Sequence, residues 1–267
     1  MTVLQQRAVT ATVFTAVMLF GLFTNEWTFK LLFAIITGGC LWELTGMLMS
    51  KDGIFYTLRR VLAVMIGTIP YVILATYNSE VDILQYILFA LIFSWIILEL
   101  AAQSTQPFQN IGTLTTGLIY IGMPFTLLLS IYYVYDEKLI FGLLLLTWSN
   151  DTWAYLIGSK IGKTPLLPRI SPKKTLEGTI SGFIGCVLTA ALIGYLGYVK
   201  DVTMTDWLIL GGIVGIFGTI GDLVESMLKR SVGVKDSGTF MPGHGGFLDR
   251  FDAFMFIIPF VMLYLFS

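Results

Sequence analysis

The chain has 267 residues, of which 56% are hydrophobic and 12% charged, with a formal net charge of −1 and a mean hydropathy of +0.82. This excludes a soluble globular core and any basic surface for nucleic acid, so no nucleic-acid partner is expected and the bilayer is the natural solvent.

Apolar runs long enough to cross about 30 Å of hydrocarbon occur nine times. In chain order they are Val9–Phe23, Trp27–Met49, Val61–Tyr77, Ile83–Ala101, Ile111–Tyr135, Leu139–Gly158, Thr179–Tyr198, Trp207–Leu228 and Phe251–Phe266. The first follows Arg7 as a signal peptide would, but no small-residue cleavage site follows, and Asn25 and Glu26 lead directly into the next run. Cys40 and Cys186 fall inside apolar runs, as packing residues do. The expected fold is an all-α polytopic membrane protein of about nine transmembrane helices.

Nine spans put the termini on opposite sides, and the basic residues then sort unequally. One side collects Arg7, Lys51, Arg59, Arg60, Lys160, Lys163, Arg169, Lys173, Lys174, Lys229, Arg230, Lys235 and Arg250; the other has Lys30, Lys138 and Lys200. By the positive-inside rule the N-terminus is cytoplasmic and the C-terminus outside. Residues 1–135 carry few polar groups and are expected to be scaffold. Residues 136–267 hold the longest polar loops, 159–178 and 229–249, both cytoplasmic, and are the expected catalytic part.

An ionised carboxylate in a span needs a partner. Glu43 and Glu99 are single acids in the scaffold half, where an Arg or a backbone group would serve. Asp222, Glu225 and Ser226 share a helix face at i, i+3 and i+4, and Asp249 and Asp252 repeat the i, i+3 spacing. Four converging acids require cations, and hard oxygen donors point to Mg²⁺ rather than zinc, with salt bridges to Lys229, Arg230 and Arg250 as the structural alternative. Basic residues beside glycines, from Lys229 and Arg230 through Lys235 and Asp236 to His244, Gly245 and Gly246, suit a phosphate site. The earlier loop repeats the theme in Ser171, Lys173, Lys174, Thr175, Glu177 and Gly178, with Ser171 placed to cap the following helix. Asn150 and Asp151 add a polar pair in the sixth run. The glycines at 178, 182 and 185, and from 211 to 221, read as helix-packing faces.

Ser226-x-x-Lys229-Arg230, Lys235-Asp236 and Pro242-x-His244-Gly245-Gly246-x-x-Asp249-Arg250-x-Asp252 together resemble the signature of the phosphatidate cytidylyltransferases, or CDP-diacylglycerol synthases. Ser171-Pro172-Lys173-Lys174-Thr175-x-Glu177-Gly178 and Asp151-x-x-Ala154-Tyr155-x-x-Gly158 are also similar to this family. Met241 departs from its usual Ile, Leu or Phe. The resemblance implies that CTP and phosphatidic acid give CDP-diacylglycerol and pyrophosphate with Mg²⁺. It implies a homodimer among membrane lipids, in the plasma (inner) membrane with the site facing the cytoplasm. K⁺ as a second cation would ease repulsion among the acids. Lys229, Arg230, Lys235, Asp236, His244 and Arg250 would act on the reacting phosphates, His244 orienting a phosphate or the turn. Asp151, Ser171, Lys173, Lys174, Thr175, Glu177, Ser226, Gly245 and Gly246 would bind substrates, and Asp222, Glu225, Asp249 and Asp252 the metal. A CTP-dependent polyprenol kinase is the alternative enzyme. A cation transporter fits less well, because the polar groups cluster on one side.

Overall fold

In hydrocarbon every backbone N–H and C=O must find a partner within the chain, which drives long apolar runs into helices. The computed structural model of the protein describes residues 3–52, 54–77, 81–241 and 245–267. Its helices are α1 (Val3–Phe23), α2 (Glu26–Leu48), α3 (Tyr56–Tyr77), α4 (Val81–Ala101), α5 (Pro107–Gly117), α6 (Met123–Ile161), α7 (Leu176–Tyr195), α8 (Met204–Ser231) and α9 (Leu248–Leu265), with a π-turn at Leu118–Gly122. Among the described residues five helical stretches are long and apolar enough to cross a membrane: Glu26–Leu48, Tyr56–Thr76, Pro107–Ile161, Leu176–Tyr195 and Met204–Ser231. The chain is an all-α polytopic membrane protein. A short antiparallel hairpin, β1 (Pro165–Leu167) and β2 (Ser171–Thr175), interrupts the helices.

Local chemistry sets the helix limits. Asn25 and Thr28 form a reciprocal capping box that separates α1 from α2: the Thr28 N–H donates to Asn25 Oδ1 at 2.9 Å and the Asn25 N–H to Thr28 Oγ1 at 3.1 Å. Thr203 and Asp206 start α8 the same way. The stretch from Pro107 to Ile161 has 55 residues, far more than one crossing needs. It breaks at Asp136, where φ is 71° and ψ −178°, next to the expected end of the fifth apolar run at Tyr135.

The chain divides into two units. The first comprises Met1–Leu129 and Asp236–Arg250. Its core joins Met49, Ala63, Ile66, Trp95, Leu114 and Leu118. Beside the loops after α2 and α4, a buried ionic group closes on itself. Arg59 Nη1 donates to both oxygens of Glu99 at 3.2 and 3.1 Å, Arg59 Nη2 donates to the Asp52 carbonyl at 2.6 Å, and Asn110 Nδ2 donates to Glu99 Oε2 at 2.9 Å. Glu99 thus has the Arg that a lone acid in a span requires.

The second unit comprises Ser130–Lys235 and Phe251–Ser267. Lipid tails are as apolar as leucine, so its helices gain little from apolar burial alone and instead approach closely at small residues. A Cβ on Gly178 of α7 would lie 2.9 Å from the Ala154 carbonyl oxygen and 3.1 Å from the Gly158 Cα of α6. Gly182, Gly185, Gly211, Gly215 and Gly221 pack as closely, whereas Gly212 faces open space, and the Gly178 contact brings the end of the 159–178 loop down onto α6.

Candidate active site

In the second unit the C-terminal third of α8 carries Asp222, Glu225, Ser226, Lys229 and Arg230 within three turns. Each acid has a cation. Lys174 Nζ, on β2, lies 2.5 Å from Asp222 Oδ2, with both side chains about a quarter to a third exposed. Lys229 pairs with Glu225 one turn below it, and that carboxylate is buried. Ser226 Oγ donates to Asp222 Oδ1 at 3.3 Å. Asp252, in the first turns of α9, is half-buried and within electrostatic reach of Asp222, Glu225 and Asp151. Arg230 turns away, donating to the Val234 carbonyl at 3.1 Å and the Ile170 carbonyl at 3.4 Å. Lys173, Lys235 and Asp151 are exposed.

The hairpin's base corrects one expectation. Ser171 does not cap α7; it opens β2, and Thr175, with φ −119° and ψ 153°, is the N-cap, its Oγ1 accepting from the Gly178 N–H at 3.2 Å. The reason is reach, because a cap must lie immediately before the first helical turn and the chain from Ser171 to Thr175 is extended. Glu177 turns back on the loop. Its carboxylate accepts from the N–H groups of Lys163 and Thr164 at 3.1 Å each and from the Thr164 hydroxyl at 2.9 Å, which fixes the hairpin against the end of α6.

In the first unit Asp249 organises the turn before α9. Its Oδ2 accepts from the Gly246 N–H at 2.8 Å and the Ser237 N–H at 2.9 Å, and shares the single Ser237 hydroxyl proton, at 3.0 Å, with Glu43. Gly245 has φ 84°, and a Cβ there would meet Asp249 Oδ2 at 2.5 Å, so both conformation and space require glycine. Asp236 and Arg250 are exposed at the two ends of this segment. Pro242, Gly243 and His244 lie outside the described residues.

Glu43 completes the turn and was not among the expected site residues. Its Oε1 accepts from the Phe247 N–H at 2.9 Å, and its Oε2 from the Leu248 N–H at 2.9 Å and the Ser237 hydroxyl at 2.6 Å. A carboxylate from α2 therefore caps α9 and neutralises the positive end of that helix. The signal was present as a lone acid in an apolar run, with a backbone group as one of the partners expected. No spacing rule could find those partners 205 residues away.

The donor set suits a hard cation, for Asp222, Glu225 and Asp252 offer carboxylate oxygens with no thiolate or imidazole among them. Among the described residues no group of three or more His, Cys, Asp or Glu side chains could hold a metal alone. Mg²⁺ does not need one, because it takes one or two carboxylates and completes its shell with water and substrate phosphate. Asp222 and Glu225 are already paired with Lys174 and Lys229, groups that a cation can displace.

Comparison with known proteins agrees in extent as well as kind. The profile of the cytidylyltransferase family matches residues 5–267. Phosphatidate cytidylyltransferase of Bacillus subtilis is 33% identical over 270 residues, covering 99% of each chain. The proteins of the same name from Staphylococcus aureus (strain COL) and Thermotoga maritima are 42% identical over 173 residues and 39% over 159. These two alignments cover 62% and 58% of this chain, and 64% and 59% of the relatives. With the polar signature in place and the match running nearly end to end, the chain belongs to the cytidylyltransferase family.

Proposed function

We propose that the protein is a phosphatidate cytidylyltransferase, joining CTP and phosphatidic acid to give CDP-diacylglycerol and pyrophosphate in phospholipid biosynthesis. The observation that carries this reading is the family match over residues 5–267, in a chain whose signature acids and bases stand in paired, exchangeable positions.

A phosphate oxygen of phosphatidate attacks the α-phosphorus of CTP, a P–O bond forms, and the bond to the departing pyrophosphate breaks. The lipid phosphate is largely ionised near neutral pH, so no strong general base is required and catalysis rests on positioning and charge. Lys174 and Lys229 release Asp222 and Glu225 when their ammonium groups turn to incoming phosphate oxygens. Lys173, Arg230, Lys235 and Arg250 divide the remaining phosphate charge. Asp222 and Asp249, with Asp252, would hold Mg²⁺, which supplies charge neutralisation at the CTP phosphates. K⁺ among the same acids would lower their mutual repulsion. His244 orients a phosphate or the turn.

The same reading places nine spans in the plasma membrane, N-terminus in and C-terminus out, with this chemistry facing the cytoplasm and two copies forming a homodimer. The charge bias of the loops supports the orientation. Purified protein in detergent, given radiolabelled CTP and phosphatidic acid with and without Mg²⁺, is expected to form labelled CDP-lipid only with Mg²⁺. Phosphorylation of a polyprenol in place of CDP-lipid would overturn the assignment.

A further inference from the structure

The first unit contains a cleft of about 910 Å³ that the family signature does not explain. One wall is a single stripe of α2, in which Ile35, Gly39, Trp42 and Gly46 recur at helical spacing. The stripe runs for roughly 16 Å along the helix axis, about half of the hydrocarbon thickness. The opposite wall includes Val64 of α3 and the segment from Ser237 to Phe240, with the ring of Phe247 seated over Gly39. Two cations, Lys51 and Arg60, stand at the C-terminal end of that stripe. The α2 stripe is therefore an apolar wall that ends in two cations, while Glu43, Ser237 and Thr239 contribute polar groups to the rest of the lining.

Arg60 is fixed by neutral groups of the chain, the Tyr56 side chain among them. Its guanidinium stacks 3.6 Å over the Trp42 ring, Nε donates to Thr45 Oγ1 at 3.3 Å, and Nη2 donates to the Trp42 carbonyl. A Cβ on Gly46 would collide with Nη2, so the glycine opens the space that the guanidinium fills. Its neighbour Arg59 spends its charge on buried Glu99, whereas among the described residues no carboxylate pairs with Arg60 or Lys51. Glu43 also lines the cleft, but both of its oxygens accept from the start of α9 and from Ser237.

We infer that this cleft is the seat of the phosphomonoester lipid, with Arg60 and Lys51 on its phosphate and the α2 stripe from Ile35 to Gly46 along its glycerol and upper acyl chains. The inference rests on the cytidylyltransferase reading for the identity of that lipid. A free nucleotide would have no use for the apolar length. A neutral lipid would have no use for a pre-positioned guanidinium, whose bonds to phosphate are among the stronger hydrogen bonds proteins make. It follows that Lys173, Lys174, Lys229 and Lys235 are left chiefly to the triphosphate.

The test uses full-length protein in detergent with dioctanoyl phosphatidic acid. Kinetics are measured for both substrates, and direct lipid binding is followed by native mass spectrometry. Arg60→Gln is expected to raise the KM for phosphatidic acid roughly 10- to 100-fold and leave that for CTP unchanged. Lys51→Gln, at an exposed position, is expected to raise it roughly two- to fivefold. Ile35→Trp, which fills the cleft from an exposed site, should weaken lipid binding without touching either cation, and it carries the test with Lys51→Gln if Arg60→Gln fails to fold. Dioctanoylglycerol should bind far more weakly than the phosphatidate, and glycerol 3-phosphate should not compete. An unchanged KM for the lipid in these variants, a raised KM for CTP instead, or competition by glycerol 3-phosphate as strong as by the lipid would overturn the proposal. The binding arm separates this inference from the reaction. Wild-type protein that binds the phosphatidate through Arg60 but makes no CDP-lipid retains the cleft and sinks the cytidylyltransferase reading. An active wild type whose lipid binding ignores all three variants does the reverse.

Discussion

The Arg59–Glu99 pair and the Lys174–Asp222 pair join the same kinds of ion in opposite settings. Arg59 and Glu99 are fully enclosed, and Asn110 and the Asp52 carbonyl take up further hydrogen-bonding positions around them. Lys174 and Asp222 are about a quarter to a third exposed, and the Ser226 hydroxyl is a further partner of Asp222. A closed pair has no open side for a ligand, so its worth is structural. An open pair can part without stranding a charge in hydrocarbon, which a phosphate or metal site requires.

The largest effect expected from this contrast is on stability at the closed pair. Arg59→Met leaves Glu99 buried without its cation and should cost about 3–5 kcal/mol, while Arg59→Met/Glu99→Leu should recover most of that loss. Thermal unfolding in detergent measures both, and a double variant no better than the single one would show that the enclosed charge is not the issue. At the open pair the effect should move to rate. Asp222→Asn is expected to lower kcat/KM about 10²–10³-fold with a melting temperature close to wild type. A variant of ordinary activity, or one whose loss follows a fallen melting temperature, would erase the distinction between the two pairs.

Glu43 lies between these types, buried like Glu99 but tied to the turn that carries Asp249. Glu43→Gln keeps the shape and loses the charge. It also sets an amide NH₂ against N–H donors, so a loss of about 1.5–3 kcal/mol in stability is expected, with a fall in kcat larger than any rise in the KM for CTP. Wild-type kcat in a destabilised Glu43→Gln protein would separate the turn from catalysis. Thr175→Ala removes only the cap of α7 and should cost about 1 kcal/mol in unfolding measurements. An equal loss from Ser171→Ala would return the cap to its expected position.

The helices were legible because lipid enforces them: runs of apolar residues, Asn25 between two of them, and the change at Tyr135 mark the elements directly. The α8 face was legible because Asp222, Glu225 and Ser226 obey helical periodicity. Glu43 and Arg60 were not, for their meaning lies in contacts between distant segments. Glu43 meets Leu248 and Arg60 lies along Trp42, and neither stands inside a local motif. The hairpin was missed for a different reason. Ser171 through Thr175 is polar and short, and its extended form is held by Glu177, Thr164 and its partner strand rather than by any periodicity of its own.

Asp52 provides the smallest and most local test of a closed polar group. It lies in the loop after α2 and accepts from the Thr105 hydroxyl, the Thr105 N–H at 2.8 Å and the Ser104 hydroxyl at 3.1 Å. Those bonds, the Thr105 hydroxyl foremost, hold its carboxyl below the ordinary value of 3.8. A depressed folded-state pKa means that the ionised group favours the folded chain. Its contribution is present above the ordinary value and is lost as pH falls through the lower, folded-state value. The melting temperature of Asp52→Asn should therefore lie slightly below that of wild type at neutral pH, and the gap should close only below pH 3.8. Because the group is only half-buried, in a loop, the gap will be small. A gap that stays constant into acid would mean that the loss comes from the amide NH₂ set against the Ser104 and Thr105 donors, and not from the charge of the carboxylate.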